Sequence, residues 1–485
     1  MLESERIGRR TAPARWCDVL RGQSIAWRTE ILIGSVDLAR IGLVGIALAL
    51  QTIVLFSPGH FRPANNLFFA ILVPSATLAS LVACLLIALP LRQVFGLQVR
   101  RVLCASAFVS LIVLSVIGVT RVTGGVTSVL QGRPYTNDGA VMDLYASQQV
   151  LHAHNPYLKT DIVQALAAIN APAITTTPLM EGQFRGARAY PSDQAIQHVF
   201  LSVLQYQPRT IPPEFESKYN YPSGSFLFIL PFVWAGISDM RFLYAIAILA
   251  MGWYLARRMP RTLRPFIPLL LLANVPLLAL TGGGQPDPLY ALFLMVALAE
   301  WPSSRVSPIA MGLAVATKQL AWFFAPFYFL LVLRHFGWRE ALRRTGLIGG
   351  IFVLLNGPFI VQSPSAYLAS VAAPMSDPMF PLGIGIVGLF VANVLPLAPK
   401  IAFTLAELAS WAGGLWAMQR FRVLAPAAIV VLGALPLFFA WRSLVNYFYL
   451  VPYLVLAVVL ADSARRLGDG SRTSTRAFAI DPAAR

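Results

Sequence analysis

Charge is scarce in this chain. Asp, Glu, Lys and Arg make up 12% of its 485 residues, against 57% apolar residues and a mean hydropathy of +0.66. Soluble domains run near ~25% charged and ~45–50% apolar. A water-soluble globule of this size could not hide so much hydrocarbon, so lipid is the expected solvent for most of it. Disorder and a collagen-like fibre are excluded by the same figures. Cysteine is rarer still: Cys17, Cys84 and Cys104 make no disulfide framework for the outer loops. Lysine is nearly absent, four residues against 34 arginines. Of the five histidines, His152 and His154 are two apart with no Cys or carboxylate spacing of a zinc site, and they read as loop residues. Residues 1–37 lack an apolar core or a cleavage site and read as a cytosolic tail rather than a signal peptide.

The net charge of +17 looks at first like a nucleic-acid footprint. Its placement says otherwise, because the arginines lie in short clusters between apolar runs, as the positive-inside rule produces. No nucleic-acid partner is expected; the clusters suit anionic lipid headgroups. A spanning helix needs about 17–25 residues. Candidate spans are residues 38–56, 67–90, 102–120, 242–256, 265–281, 287–301, 307–318, 320–333, 345–361, 400–418, 424–441 and 446–461. Two short apolar stretches, 223–237 and 382–396, decide the topology. If neither crosses, the clusters at Arg257–Arg264, Arg334–Arg344, Arg420–Arg422 and Arg465–Arg466 all fall inside with the N-terminal tail. The expected fold is therefore an all-α polytopic membrane protein of about 12 spans with both termini cytosolic. Residues 1–37 and 462–485 form the tails, and 38–101 carry two N-terminal helices. A core over 102–461 includes one long extracytoplasmic segment, 121–241, which is expected to lie on the membrane as short helices. Lys400 starts its helix on the outer side, against the general bias.

Ionisable residues in hydrocarbon are costly, so each is a suspect. Lys318, after a short helix in GLAVATKQLAWFF, needs an anion; a lipid phosphate would serve, and the alternative is snorkelling to the headgroups. In ALTGGGQPDPLYALF three glycines and two prolines break the helix and leave Gln285 and Asp287 on an outer turn, Asp287 as site residue or helix cap. In TNDGAVMDLYASQQVLHAHNPYL, Asn137 or Asp138 can cap a helix running to about His152. Asp138 and Asp143 stand roughly 140° apart around that helix, so they do not pair for a metal or a two-acid hydrolase. A single carboxylate at a membrane-proximal helix start fits a general base, and capping is the alternative. Tyr219 and Tyr221 lie beside another helix start, as interfacial belt or sugar-stacking surface. Arg442, left outside with Asn446 and Tyr447, could grip a phosphate or carboxylate.

In this order the segments resemble the GT-C glycosyltransferases, most closely the bacterial polyprenyl-phosphate-mannose-dependent mannosyltransferases. Asp138 precedes Pro156-Tyr157 at the family's spacing of about eighteen residues. Tyr219-Asn220-Tyr221-Pro222 is similar to its Tyr-x-Tyr-Pro juxtamembrane helix. Gly284-Gln285 is similar to its outer turn, with Asp287 where relatives commonly carry Asn. Gly312-Leu313 through Lys318 resembles its Gly-Leu-x-x-x-x-Lys helix. The likeness spans roughly 105–460 and omits the first two helices. Ala153-His154 replaces a Gly often seen before Asn-Pro-Tyr, and the loop 158–217 is long for the family.

The resemblance implies an inverting hexosyl transfer on the outer face of the plasma (inner) membrane, from a polyprenyl-phosphate-linked sugar, mannose foremost, to a glycan or glycolipid hydroxyl. It assigns the base to Asp138 rather than Asp143. Lys318 and Arg442 would meet the donor phosphate; Asn137, Tyr219, Tyr221, Gln285 and Asp287 would contact the sugar. With no DxD motif, neither a metal nor any other cofactor is expected. The rival classes are a polysaccharide polymerase or ligase, whose main outer loop is expected later in the chain, a secondary transporter, which is expected to show repeats, and a non-catalytic scaffold.

Overall fold

The computed structural model describes residues 38–57, 66–89, 96–187, 189–206, 212–421 and 426–478; the N-terminal arginines and Cys17 lie outside them. Among the described residues the protein is helical apart from one two-residue parallel pair, Leu382–Gly383 beside Arg442–Ser443, and two isolated bridges. Six helices are long and apolar enough to cross a membrane: Leu38–Phe56, Leu67–Ala88, Arg101–Leu130, Gln319–Gln362, Lys400–Arg420 and Val445–Arg465.

Among the described residues, each of the twelve expected stretches contains helix, but several are shorter or divided. The 265–281 stretch is two helices, Phe266–Ala273 and Val275–Gly282, broken at Asn274, whose side chain caps the second by accepting from Leu277 N. The stretches 320–333 and 345–361 belong to the run Ala325–Gln362, interrupted at Gly337, which adopts φ 80°. The third helix continues to Leu130, so the long segment that follows it starts nearer 131 than 121. The last helix runs from Val451 to Phe478, well beyond 461. Neither 223–237 nor 382–396 forms a helix of spanning length: the first holds Gly224–Leu227 and Leu230–Trp234, the second Val387–Val391.

The last helix is the centre of the bundle. Residues Leu450 to Ala461 are all buried, as expected of a helix that is apolar all round. The two N-terminal helices are part of this packing. Leu67–Ala88 lies against the last helix, Ser80 Oγ donates to Ala47 O at 3.2 Å, and Gln51 Nε2 donates to Phe448 O at 3.0 Å. The Leu97–Leu130 helix instead exposes Val102, Val109 and Val116. Their seven-residue spacing makes an apolar stripe, suited to lipid.

A buried arginine ties several helix ends together. Arg241, at the start of the Arg241–Arg258 helix, grips Asp239 through Nε (3.0 Å) and Nη2 (2.6 Å). Its Nη2 also donates to Arg133 O at 2.9 Å, and its guanidinium lies 5.1 Å from the Tyr135 ring centroid. Tyr135 Oη in turn accepts from Met240 N at 2.8 Å. The segment leading into Asn137 and Asp138 is thereby fixed against two other helix ends.

Candidate active site

The helix Asp138–Leu151 starts as its sequence requires. Asn137 is extended and its Oδ1 accepts from Ala140 N at 3.2 Å, while Asp138 opens the first turn. Asp138 is half-buried. Its Oδ1 accepts from Gly139 N at 2.8 Å and its Oδ2 from Thr177 Oγ1 at 2.6 Å. Sequence reasoning misses Thr177, which comes from the middle of the long segment between the third and fourth expected spans; only the run Thr175-Thr176-Thr177-Pro178 marks it.

Asp143 has a different setting. It is fully buried, with Oδ1 accepting from Tyr219 Oη at 2.5 Å and Oδ2 from Ser225 Oγ at 2.7 Å. Burial pushes its carboxyl up to about 6, although both hydroxyl bonds pull the other way. Asp143 fastens the helix to the Tyr219–Pro222 segment. Tyr157 completes that fastening: its hydroxyl donates to Tyr221 O at 2.8 Å, and its ring lies 5.5 Å from that of Tyr219 and 4.7 Å from that of Tyr367. The two tyrosine-proline motifs, far apart in the chain, thus pack together. Tyr219 is wholly buried and spent on Asp143, which takes it out of reach of a sugar. Tyr221, partly exposed, keeps the expected position: a side chain at Gly139 would meet its hydroxyl at 3.0 Å. His152 and His154 are exposed and bond only to Gln148 and Gln149 of their own helix end.

The Gly-Gln-Pro-Asp turn closes on this helix start. Gly284 adopts φ +99°, and a Cβ there would come within 2.3 Å of Tyr135 Cδ1, so only glycine fits. Thr136 N donates to Gly283 O at 2.9 Å. Asn137 Nδ2 donates to Gln285 Oε1 at 2.5 Å. Asp287 begins the Asp287–Ala299 helix, but it is more than a cap. Its Oδ2 accepts from Gln285 Nε2 at 2.9 Å, Asn446 Nδ2 at 2.8 Å and Tyr449 Oη at 3.2 Å. Its Oδ1 pairs with Lys318 Nζ. Lys318 therefore finds its anion within the protein rather than in a lipid phosphate or at the headgroups. It lies just past the Val306–Thr317 helix in extended backbone, with its ammonium 5.0 Å from the Tyr221 ring centroid and 5.7 Å from that of Tyr290. The next residue, Gln319, donates to Asn220 O.

A path of polar contacts thus runs from Asn137, the chain neighbour of Asp138, through Gln285 and Asp287 to Lys318, with Tyr221 alongside. Tyr447 also lies within the electrostatic reach of Asp138 and Asp287, and of Arg442 and Glu407. Arg442 forms no salt bridge among the described residues. Its Nη1 touches Met379 Sδ at 3.0 Å and its buried Nε has no hydrogen-bond partner. Asn446 and Tyr449 join the site from the far end of the chain, where no local pattern marks their partner.

No protein-family model matches the chain, and no solved structure does. Among curated proteins, a stretch of 58 residues is 42% identical to the human Dol-P-Man:Man(5)GlcNAc(2)-PP-Dol alpha-1,3-mannosyltransferase. The matched stretch covers 12% of this chain and 13% of the human protein. The similarity to this mannosyltransferase is thus confined to a short segment of both chains.

Proposed function

We propose that this chain is a membrane glycosyltransferase that moves a sugar, mannose foremost, from a polyprenyl phosphate to an acceptor hydroxyl, with inversion, on the extracytoplasmic face of the plasma membrane. The observation that carries the reading is the meeting of Asp138, Tyr221, Gln285, Asp287 and Lys318, from four separate segments, at one end of the helices. The short mannosyltransferase match supports a lipid-linked sugar donor. The arginine clusters support twelve crossings with both termini cytosolic, which puts that end outside.

In the reaction, an acceptor oxygen attacks the anomeric carbon as its proton passes to Asp138, the only carboxylate of the set that is half-exposed. General base catalysis of this kind contributes about 10²–10⁴-fold. The anomeric C–O bond breaks, and its electron pair leaves on the phosphate oxygen. Thr177 and Gly139 N hold the Asp138 carboxylate in place. Tyr221 stands beside it as a wall for the sugar. Asn137 and Gln285, with amide groups directed along the path to Asp287, orient sugar hydroxyls. Lys318, already committed to Asp287, holds the turn together. Arg442, which has no carboxylate of its own, receives the growing charge on the leaving phosphate.

The test is incubation of purified protein with radiolabelled polyprenyl-phosphate sugars and a membrane lipid extract. Labelled glycolipid is expected from the wild type and not from Asp138→Asn. Uptake of a small solute by proteoliposomes, with no label transferred, would replace this reading by transport.

A further inference from the structure

A second charged cluster adjoins this site, where residues 377–379 pass the start of the Lys400–Arg420 helix and the Arg442–Ser443 strand. Lys218 Nζ reaches both carboxylate oxygens of Asp377 at 2.7 Å. Lys400 Nζ donates to the backbone oxygen of Asp377 at 2.9 Å. Arg442 touches Met379 two residues on. Leu179 of the outer segment bridges to Met379 as well, which places the cluster at the same end of the molecule as Asp138 and Thr177.

The charges in this cluster do not balance. Lys400 and Arg442 feel each other's field, and neither makes a salt bridge among the described residues. Asp377 is spent on Lys218. The other acid, Glu216, is buried beside Asp377; burial first, and then the hydrogen bond to Asp377, push its carboxyl up to about 8. At neutral pH three cations thus face one ionised carboxylate. Like charges held together without a counter-ion are unfavourable, and a bound anion relieves them.

We propose that Lys400 and Arg442 together seat a phosphate group, with Lys400 as a phosphate contact beside Arg442 and Lys318 outside the seat. For the leaving group this deepens the transferase reading and rests on it. A donor phosphodiester carries one negative charge, and the phosphate monoester left after transfer carries about −1.5 to −2. Two cations suit the second species better than the first, and that preference is what accelerates transfer.

The experiment measures binding without turnover. Purified full-length protein in detergent is titrated with farnesyl phosphate, farnesol or inorganic phosphate, and its unfolding temperature is followed. Farnesyl phosphate is expected to stabilise the wild type and farnesol is not. Lys400→Gln and Arg442→Gln should each weaken farnesyl phosphate binding ~10-fold or more, the loss of one charge-assisted contact. Lys400→Arg should keep it, which separates lost charge from lost fold. Undiminished binding by a well-folded Lys400→Gln overturns the proposal. Inorganic phosphate binding as tightly as farnesyl phosphate, through the same two residues, supports the phosphate seat and makes its ligand a free anion rather than a lipid. Lys400-dependent binding without any sugar transfer would leave the seat standing and remove the transferase. Transfer that needs Asp138 but ignores Lys400 would do the reverse.

Discussion

Asp138 and Asp143 stand on the same fourteen-residue helix, and the structure treats them in opposite ways. At Asp143 both carboxylate oxygens are used: two buried hydroxyls fill them, and Tyr157 and Tyr219 pack the surroundings. Asp138, one turn and a half earlier, leans on its own backbone and one threonine and stays half-exposed. The Asp287–Lys318 pair belongs with Asp143 in this respect, being saturated and out of water. Saturated carboxylates hold segments in position; the partly satisfied one is the proton acceptor of the proposed reaction. Helix geometry alone accounts for the split, since five residues turn the side chain roughly 140°.

That contrast can be broken most forcefully at Lys318. Lys318→Met leaves Asp287 as a buried unpaired charge and should cost about 3–5 kcal/mol of stability, read from denaturant or thermal unfolding in detergent. Adding Asp287→Leu should recover much of the loss; no recovery would mean that Asp287's other three partners matter more than the ion pair. Asp143→Ala comes next. It strands the hydroxyls of Tyr219 and Ser225, and about 2–6 kcal/mol should be lost at ~1–3 per unsatisfied group. A pH-dependent effect is expected at Glu216. Its carboxyl is raised from the usual 4.5 to about 8 in the folded protein, so the folded state keeps a proton that the unfolded chain has released. Its contribution is complete below about pH 4.5 and disappears as the pH climbs toward 8. Glu216→Gln should flatten this decline in unfolding temperature; an unchanged slope would place the titration elsewhere.

Much of the site is legible in the amino-acid sequence. Asn137-Asp138 announces a helix start, the Gly-Gln-Pro-Asp turn announces irregular outer backbone, and Lys318 is conspicuous as a charge in hydrocarbon. These signals are local, written in caps, breakers and hydropathy. What they do not carry is who meets whom. Lys318's anion is 31 residues away and Asn446 lies 159 residues from the carboxylate it serves. Thr177 has only a threonine run to mark it. Tyr219 reads as a surface aromatic because nothing in Tyr-Asn-Tyr-Pro tells which ring turns inward; the partner that decides it is Asp143. The number of crossings is harder still. Helices such as Val306–Thr317 are shorter than the ~20 residues a span needs, and breaks at Asn274 and Gly337 divide or join runs whose hydropathy is continuous.

The most direct test sets the two aspartates against each other in one assay. Sugar transfer from a labelled polyprenyl phosphate is measured for Asp138→Asn and Asp143→Asn, alongside their unfolding temperatures. Asp138→Asn should lose transfer by ~10²–10⁴-fold while unfolding like the wild type, and Asp143→Asn should unfold earlier yet transfer sugar while folded. An active Asp138→Asn protein, or a stable Asp143→Asn protein with no activity, would contradict the assignment of the base.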